Sequence, residues 1–482
     1  MALAHPNRAL SDRKIRTVAV VGGGISGLVA ARALHPHCEV RVFEAGADVG
    51  GHSYTFPVED PAGTQQVDMG FIVFNERTYP NFCRLLSELD VATEESCMSF
   101  SVRSERKGFE WNGSDLGGIF AQRRSLLRPS VYRMLFGILR FHRRASDLLQ
   151  LDPQVTLGSV LDMERWRGPF VDLYLVPMVS AIWSTDPRQV LEMPARALFA
   201  FLHNHGMLAV SDRPAWRVVA GGSRRYVTSL VAPFRHRIDT TTPVASLRRR
   251  SDGVELALDG TRRGEIYRAD AVVLACHADQ ALRLLADPTP AEHDVLAAVP
   301  YSRNDVVLHT DSRLMPRSRR AWASWNYHHE LPARELAEAT ASSLGTSRVT
   351  YWMNRLQNLG AERDYLVSLN RTPAIDPEKI LHRATFDHPL FTADGMKAQS
   401  RWHEISLSRT VYCGAYWGFG FHEDGVKSGL RAARALGAVV DGVGLDELGR
   451  DGFGGAPPAG VAVEPTGPGK PAAPDRRESK VA

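Results

Sequence analysis

Thr17-Val18-Ala19-Val20-Val21-Gly22-Gly23-Gly24-Ile25-Ser26-Gly27-Leu28-Val29-Ala30-Ala31, followed shortly by Val40-Arg41-Val42-Phe43-Glu44, is the stretch that decides the fold. An apolar run predicts a buried strand, Gly-x-Gly-x-x-Gly ends it, small residues continue as a helix, and a second strand closes on an acid. The three glycines have separate roles. Gly22 makes the tight turn, Gly24 lets backbone approach a pyrophosphate, and Gly27 lets helix and strand pack closely. The helix start at Ile25 and Ser26 offers unpaired N–H groups and the positive end of the helix dipole to phosphates. Glu44 falls where a carboxylate accepts hydrogen bonds from ribose hydroxyls. With strand, helix, second strand and acid in register, the segment predicts an α/β fold that binds a dinucleotide.

Just past the acid lies a second glycine pair, Gly50-Gly51-His52-Ser53, which NAD binding does not require. A plain turn is the other reading of that pair. Four further blocks follow in order: Val67-Asp68-Met69-Gly70-Phe71, Thr242-Pro243-Val244-Ala245-Ser246-Leu247, Ala269-Asp270-Ala271-Val272-Val273-Leu274-Ala275, and Thr410-Val411-Tyr412-Cys413-Gly414 with Gly420-Phe421-His422-Glu423-Asp424-Gly425-Val426. Together they resemble the FAD-dependent superfamily that holds amine oxidases, phytoene-type desaturases and protoporphyrinogen oxidases. The resemblance implies an α/β fold with a Rossmann-like, discontinuous FAD-binding domain and an inserted α+β substrate domain. It implies FAD as cofactor, with Gly50, Gly51, His52 and Ser53 along the pyrophosphate and ribityl chain and Gly70 and Phe71 along the flavin ring. Val244 meets the adenine through its backbone. Gly414, Glu423, Asp424 and Val426 lie in the strand, loop and helix start that face the flavin pyrimidine, where negative charge grows on reduction. The family's usual arginine after the glycine pair is His52 here.

At 482 residues the chain has room for two to three domains. Apolar content of 44% and charged content of 23% are ordinary for a globular protein. A net charge of +4 gives no reason to expect nucleic acid as a partner. The five cysteines, Cys38, Cys83, Cys97, Cys276 and Cys413, are scattered with no Cys-x-x-Cys, which argues against a redox dithiol or zinc ribbon. Residues 1–13 lack the apolar core of a signal peptide, and no apolar stretch is long enough to span a bilayer, so a cytoplasmic protein is expected.

The pattern divides the chain into an FAD-binding domain at 14–105, 215–285 and 402–442 and a substrate domain at 106–214 and 286–401. Residues 1–13 and the Gly/Pro-rich tail 450–482 are expected to be disordered. The first insert reads as mainly helical. The second carries strand-like runs at 305–309, 321–325 and 348–353. Within the first, Arg128 to Gln150 is a basic amphipathic segment whose Val131, Met134, Leu135, Ile138, Phe141, Ala145 and Leu148 share one face, with Arg133, Arg140, Arg143 and Arg144 among the solvent positions. It reads either as a cap helix with a solvated face or as a peripheral contact with the inner face of a membrane.

A flavin itself accepts a hydride at N5, so the protein needs to position a C–H bond and exclude water rather than supply a strong base. No second Gly-x-Gly-x-x-Gly unit offers an NADPH site, so electrons are expected to leave to oxygen or another external acceptor. Many amine-oxidase relatives carry a lysine in the middle of the substrate domain, whereas this chain has none between Lys107 and Lys379. Tyr416, Trp417, Phe421 and His422 are the candidate catalytic and pocket-shaping residues. The resemblance puts Phe421 at the second position of an aromatic cage, where phenylalanine suits an apolar substrate better than an amine. His422 reads as a partner for the flavin edge, a proton relay, or a structural loop histidine. For His328-His329 one inward and one outward strand residue is expected. Neither this pair nor His203-Asn204-His205 has a third ligand, so no metal is expected.

Phe386-Asp387-His388-Pro389-Leu390-Phe391, Ala398-Gln399 and the Gly-Phe-His-Glu-Asp-Gly stretch are similar to a bacterial subgroup known mainly as predicted NAD/FAD-binding proteins. Its members accompany cyclopropane-fatty-acid-synthase-type methyltransferases. This resemblance implies an oxidoreductase of desaturase or dehydrogenase type acting on a fatty acyl or related lipid chain, with such a methyltransferase as partner. Two other readings stand beside it. One is an amine oxidase releasing aldehyde and hydrogen peroxide, and the other is a partner protein whose FAD is structural.

Overall fold

The computed structural model describes residues 15–105, 107–208, 214–329, 347–407 and 409–442. The segments expected to be disordered, 1–13 and 450–482, lie outside the described residues. The elements used below are β1 (Thr17–Val21), α1 (Ile25–Leu34), β2 (Glu39–Phe43), α2 (Pro80–Glu88), α3 (Pro129–Leu148), α4 (Val176–Trp183), α5 (Ala195–Asn204) and α6 (His422–Ala435).

β1 lies at the centre of a five-stranded sheet, between β2 on one side and strand Ala271–Leu274 on the other. Ile238–Asp239 adds to β2 and Thr410–Tyr412 to Ala271–Leu274, and every pairing is parallel. Parallel sheets are covered on both faces, so their strands read as unbroken apolar runs. Val18 to Val21 and Ala271 to Leu274 are accordingly all buried. The strands of one sheet thus come from three distant parts of the chain.

α1 follows β1 through the glycine turn. A Cβ at Gly27 would lie 2.1 Å from the Gly22 carbonyl oxygen and 2.9 Å from Ala275 Cβ, so only glycine permits this approach of helix to sheet. α6 crosses α1 at similar range: a Cβ at Gly429 would stand 2.4 Å from the Ser26 carbonyl oxygen. Small residues thereby bring the start of α6, from the far end of the chain, beside the start of α1.

A seven-stranded sheet forms the second layer, in the order Ile380–Pro389, Tyr301–His309, Leu366–Leu369, Val349–Trp352, Trp325–His329, Phe100–Ser104, Phe109–Asn112. Helices α3, α4 and α5 share an apolar core built on Phe141, Phe170, Leu175, Val179 and Phe199. The amphipathic face predicted for α3 is observed: Val131, Met134, Phe141, Ala145 and Leu148 are buried. The strand expected at 321–325 begins only at Trp325. The Asn326 side chain explains the difference, accepting from Ala323 N at 3.0 Å and donating to Ala323 O at 2.6 Å, which holds the preceding segment in a bend off the ladder.

Candidate active site

The nucleotide end is built from backbone. Gly22 has φ +108°, a conformation open to glycine. Gly24 precedes α1 with φ −75° and ψ 176°, and no side chain caps the helix start. A Cβ on Gly24 would meet nothing within 4 Å among the described residues. Glu44 ends β2 and accepts from Gly23 N at 2.6 Å and from Gly46 N at 2.7 Å, which pins its carboxylate beside the glycine loop. Gly50 N donates to Gly23 O at 2.8 Å, so the second glycine pair lies against the first. Val244, buried at the start of strand Val244–Arg249, pairs with Leu258.

Beyond the glycine pair the site turns aromatic. His52 packs on Phe386 (ring centroids 4.8 Å) and His388 (5.2 Å), both from the edge strand of the large sheet. Its Nε2 is shielded from solvent with no hydrogen-bond partner among the described residues. Burial, reinforced by His388, His277 and His422, holds this imidazole well below the usual range and therefore neutral. Residues two apart on a strand share a face, and His382 on the same face as Phe386 and His388 meets Phe56 at 4.0 Å and the Tyr54 hydroxyl at 2.8 Å. The large sheet therefore lies over the glycine-pair loop through imidazole and phenyl rings.

The His422 ring stacks on Phe71 at 3.6 Å with the planes 6° apart. Its Nε2 shares hydrogen bonds with the Tyr226 hydroxyl at 2.6 Å and Ser53 Oγ at 3.2 Å, and Ser53 and Tyr226 are bonded to each other. Burial pushes the imidazole down to about 3. His422 is thus a neutral hydrogen-bonding group, not a cationic one, buried with Ser53 and Tyr226 behind the half-buried ring of Phe71.

Glu423 and Asp424 lie in the helix start expected to turn its N–H groups to the flavin pyrimidine, and their carboxylates bond to the protein itself. Glu423 accepts from Asn81 Nδ2 at 2.6 Å, Asn81 N at 3.2 Å and Phe82 N at 3.0 Å, which closes off the start of α2. Asp424 accepts from Phe421 N at 2.9 Å, and burial raises its carboxyl to about 7. Their backbone N–H groups in the first turn of α6 are what remains to serve a ligand. Val426 is buried in the same turn, and Gly414 N donates to Ser428 Oγ at 3.0 Å.

Phe421 stacks on Phe201 of α5 at 4.9 Å and meets Trp183 of α4 at 6.0 Å and His205 at 6.1 Å. Trp183 Nε1 donates to Phe419 O, and Gln399 Nε2 donates to Tyr416 O and Gly418 O, so two helices fix the loop before α6. Tyr416 and Trp417 meet each other at 5.1 Å, and both are buried against the FAD-domain core. The ring neighbours of Phe421 are accordingly Trp183, Phe201 and His205, none of which was singled out with it in the sequence. The Tyr416 hydroxyl and Trp417 Nε1 are buried without partners among the described residues.

Asp68 was quoted only as part of a motif, yet it is a hub. It accepts from Thr55 Oγ1 at 2.5 Å, Ser223 N at 2.9 Å, Ser223 Oγ at 2.8 Å and Gln357 Nε2 at 2.7 Å. It therefore ties the segment leading to Gly70 and Phe71 to the loop Gly221-Gly222-Ser223 and to the short helix Met353–Leu356 that follows a strand of the large sheet. His328 and His329 are both buried, against the expectation of one inward and one outward ring. His328 pairs with Thr350 Oγ1 and His329 with Ser104 Oγ, because strands or other layers cover both faces of Trp325–His329. Among the described residues no group of three or more His, Cys, Asp or Glu could hold a metal ion.

These features fit FAD. The uncapped start of α1, the open space at Gly24 and the carboxylate at the end of β2 suit a pyrophosphate and ribose. The unpartnered His52 Nε2, directly after the glycine pair, is a buried polar atom that a bound cofactor would satisfy. Fold and site define a dinucleotide-binding flavoprotein built on a five-stranded parallel and a seven-stranded mixed sheet, whose candidate cofactor residues come from both ends of the chain. Residues 25–340 match the family model described as flavin containing amine oxidoreductase, and the chain belongs to that family. It is an FAD-dependent oxidoreductase.

Individual proteins are similar to it as well. It is 29% identical over 313 residues to the carotenoid phi-ring synthase of Streptomyces griseus, a match that covers 59% of this chain and 56% of that protein. The chain thus matches little more than half the length of this curated relative. Among solved structures it is similar to a redesigned putrescine oxidase (TM-score 0.61, 16% identity, 87% of this chain and 98% of that one). It is similar in the same degree to cyclohexylamine oxidase from Brevibacterium oxydans (TM-score 0.61, 16% identity, 88% and 99%). At that identity the likeness speaks for the fold alone.

Proposed function

We propose that the protein dehydrogenates a lipophilic substrate, a fatty acyl or related lipid chain, with FAD as the hydride acceptor. The observation that carries this reading is the packing at Phe421. An ammonium group is held by the open faces of aromatic rings. Here the face of Phe421 is turned to Phe201, with planes 23° apart, and Trp183 closes on its edge. His205 stacks on Phe201 at 3.8 Å, and burial pushes its imidazole down to about 4, so this wall is polar and uncharged. The relative named for a carotenoid product supports an apolar substrate in the same direction.

When bound, FAD supplies the acceptor for the hydride. The chain's own part is to present the packed box of Phe421, Trp183 and Phe201 as an apolar wall beside the substrate and to keep water off it. His422, held neutral, fixes Ser53 and Tyr226 in place behind Phe71.

Anaerobic mixing tests the reading. Acyl lipids should bleach the visible absorbance of the flavin and simple amines should leave it unchanged. The F421A variant should lower kcat/KM for the acyl substrate by about 10- to 100-fold, the loss expected from about 1.5–3 kcal/mol of aromatic burial. Bleaching by amines with F421A indifferent to lipids would overturn it.

A further inference from the structure

The solvent side of the α3 region is not simply basic. Among the described residues, seven of the eleven most exposed large apolar side chains fall between Leu116 and Met163. Leu127 is 88% exposed, Leu116 73% and Phe136 68%, with Leu126, Tyr132 and Leu139 beside them. Tyr132, Phe136 and Leu139 follow the spacing of one helical stripe. The Tyr132 hydroxyl reaches Leu126 O at 2.7 Å and its ring meets Phe120 at 6.3 Å, which joins α3 to the turns carrying Leu126, Leu127 and Leu116 in one surface. Exposed leucines and phenylalanines at this density mark an interaction site.

Charge says what meets it. Between Asp115 and Asp147 the chain holds seven arginines and no acid. Arg140 and Arg144 are turned to Glu164, while Arg133 and Arg143 are exposed with no ion-pair partner among the described residues. An open cavity of about 500 Å³ lies at the edge of the patch, lined by Lys107, Arg128 and Arg133 over an apolar floor of Phe109 and Leu173. Asp172 lies 3.7 Å from Lys107 and offsets one of these charges, which leaves the cavity net positive. Protruding apolar side chains ringed by arginine match an interface in which hydrocarbon lies beneath anionic headgroups.

We propose that this face docks on an anionic lipid bilayer, with Leu127, Phe136 and their neighbours entering the acyl boundary and the arginines on the headgroup phosphates. The inner side of the same layer leads toward the active site. Phe141 of α3 meets Phe199 of α5 at 5.7 Å, and Phe201, two residues on, stacks on Phe421. A lipid-facing surface and the aromatic box are therefore separated by one helical layer. This placement fits the proposed lipophilic substrate, yet vesicle binding is measured without turnover, so either idea can fail alone.

The test is co-sedimentation of the full-length holoprotein with vesicles of phosphatidylcholine alone or mixed with phosphatidylglycerol. Binding is expected only with phosphatidylglycerol and should weaken with salt. The double variant L127D/F136D should abolish it while keeping wild-type flavin content and thermal stability, since both side chains are exposed. Arg133→Gln and Arg143→Gln should each weaken binding roughly fivefold. Equal binding to both vesicles, no binding to either, or a concentration-dependent dimer dissolved by L127D/F136D would each overturn the proposal.

Discussion

Replacing Gly24 with alanine separates the protein's needs from those of its cofactor. At Gly24 the backbone is extended, with φ −75°, a conformation alanine adopts freely, and the added methyl meets no described atom within 4 Å. The protein without FAD should therefore tolerate G24A. Reduced freedom of the unfolded chain should add about 0.4–1 kcal/mol of stability, or roughly 0.4–1 °C in a protein of this size. The same methyl stands at the uncapped start of α1, in the space through which a pyrophosphate would pass. Overpacking there should cost at least about 2 kcal/mol of FAD binding, about a thirtyfold loss. Gly27→Ala gives the contrast, because its Cβ lies about 1 Å inside contact distance of the Gly22 carbonyl oxygen. That variant should lose stability with or without flavin. Differential scanning fluorimetry of flavin-free protein and titration of FAD fluorescence measure the two quantities separately. A G24A protein that binds FAD within about threefold of wild type would refute the assignment of the α1 start to the pyrophosphate.

Two further expectations concern buried carboxylates. Asp68→Asn leaves donors from Thr55, Ser223 and Gln357 competing for one amide oxygen, and should cost about 2–4 kcal/mol in denaturant unfolding with matching loss of flavin retention; wild-type stability would contradict the hub. Asp424, raised by burial to about 7 against about 3.9 in an unfolded chain, binds its proton more tightly when folded. Its contribution to stability is fully present below about pH 4 and is lost as pH rises through about 7, so D424N should flatten the decline in Tm over that window, and an unchanged profile would exclude Asp424 as its source.

The glycine loop, the acid at Glu44 and the second glycine pair could be read from the chain because their chemistry is backbone chemistry with short, fixed spacing. Gly22 needs a positive φ and Gly27 a bare α-carbon, and both demands leave a mark in sequence. The surroundings of Phe421 left no such mark. Trp183, Phe201 and His205 lie more than 200 residues earlier on helices whose apolar pattern suits any core. The same holds for Asp68, whose partners Ser223 and Gln357 are 155 and 289 residues away. The bond of Glu423 to the start of α2 left no mark either, because Asn81 and Phe82 lie more than 300 residues earlier. The bend at Ala323 escaped notice because a single asparagine, Asn326, outweighs the alternating pattern around it.

The position of β1 bears on how the protein is made. Its partner on one side, β2, leaves the ribosome within some twenty residues, but its partner on the other side pairs Ala271 with Val18, 253 positions apart. At about 5–20 residues per second of synthesis, the apolar edge of Val18 to Val21 stands open for roughly 13–50 seconds. An unpaired hydrophobic strand edge is a template for association with other chains. The last strand of the sheet and the start of α6 come later still, so the cofactor cradle cannot close while most of the chain is being made. The nascent protein is therefore open to association during elongation, and its yield should respond to chaperone supply and to the speed of translation.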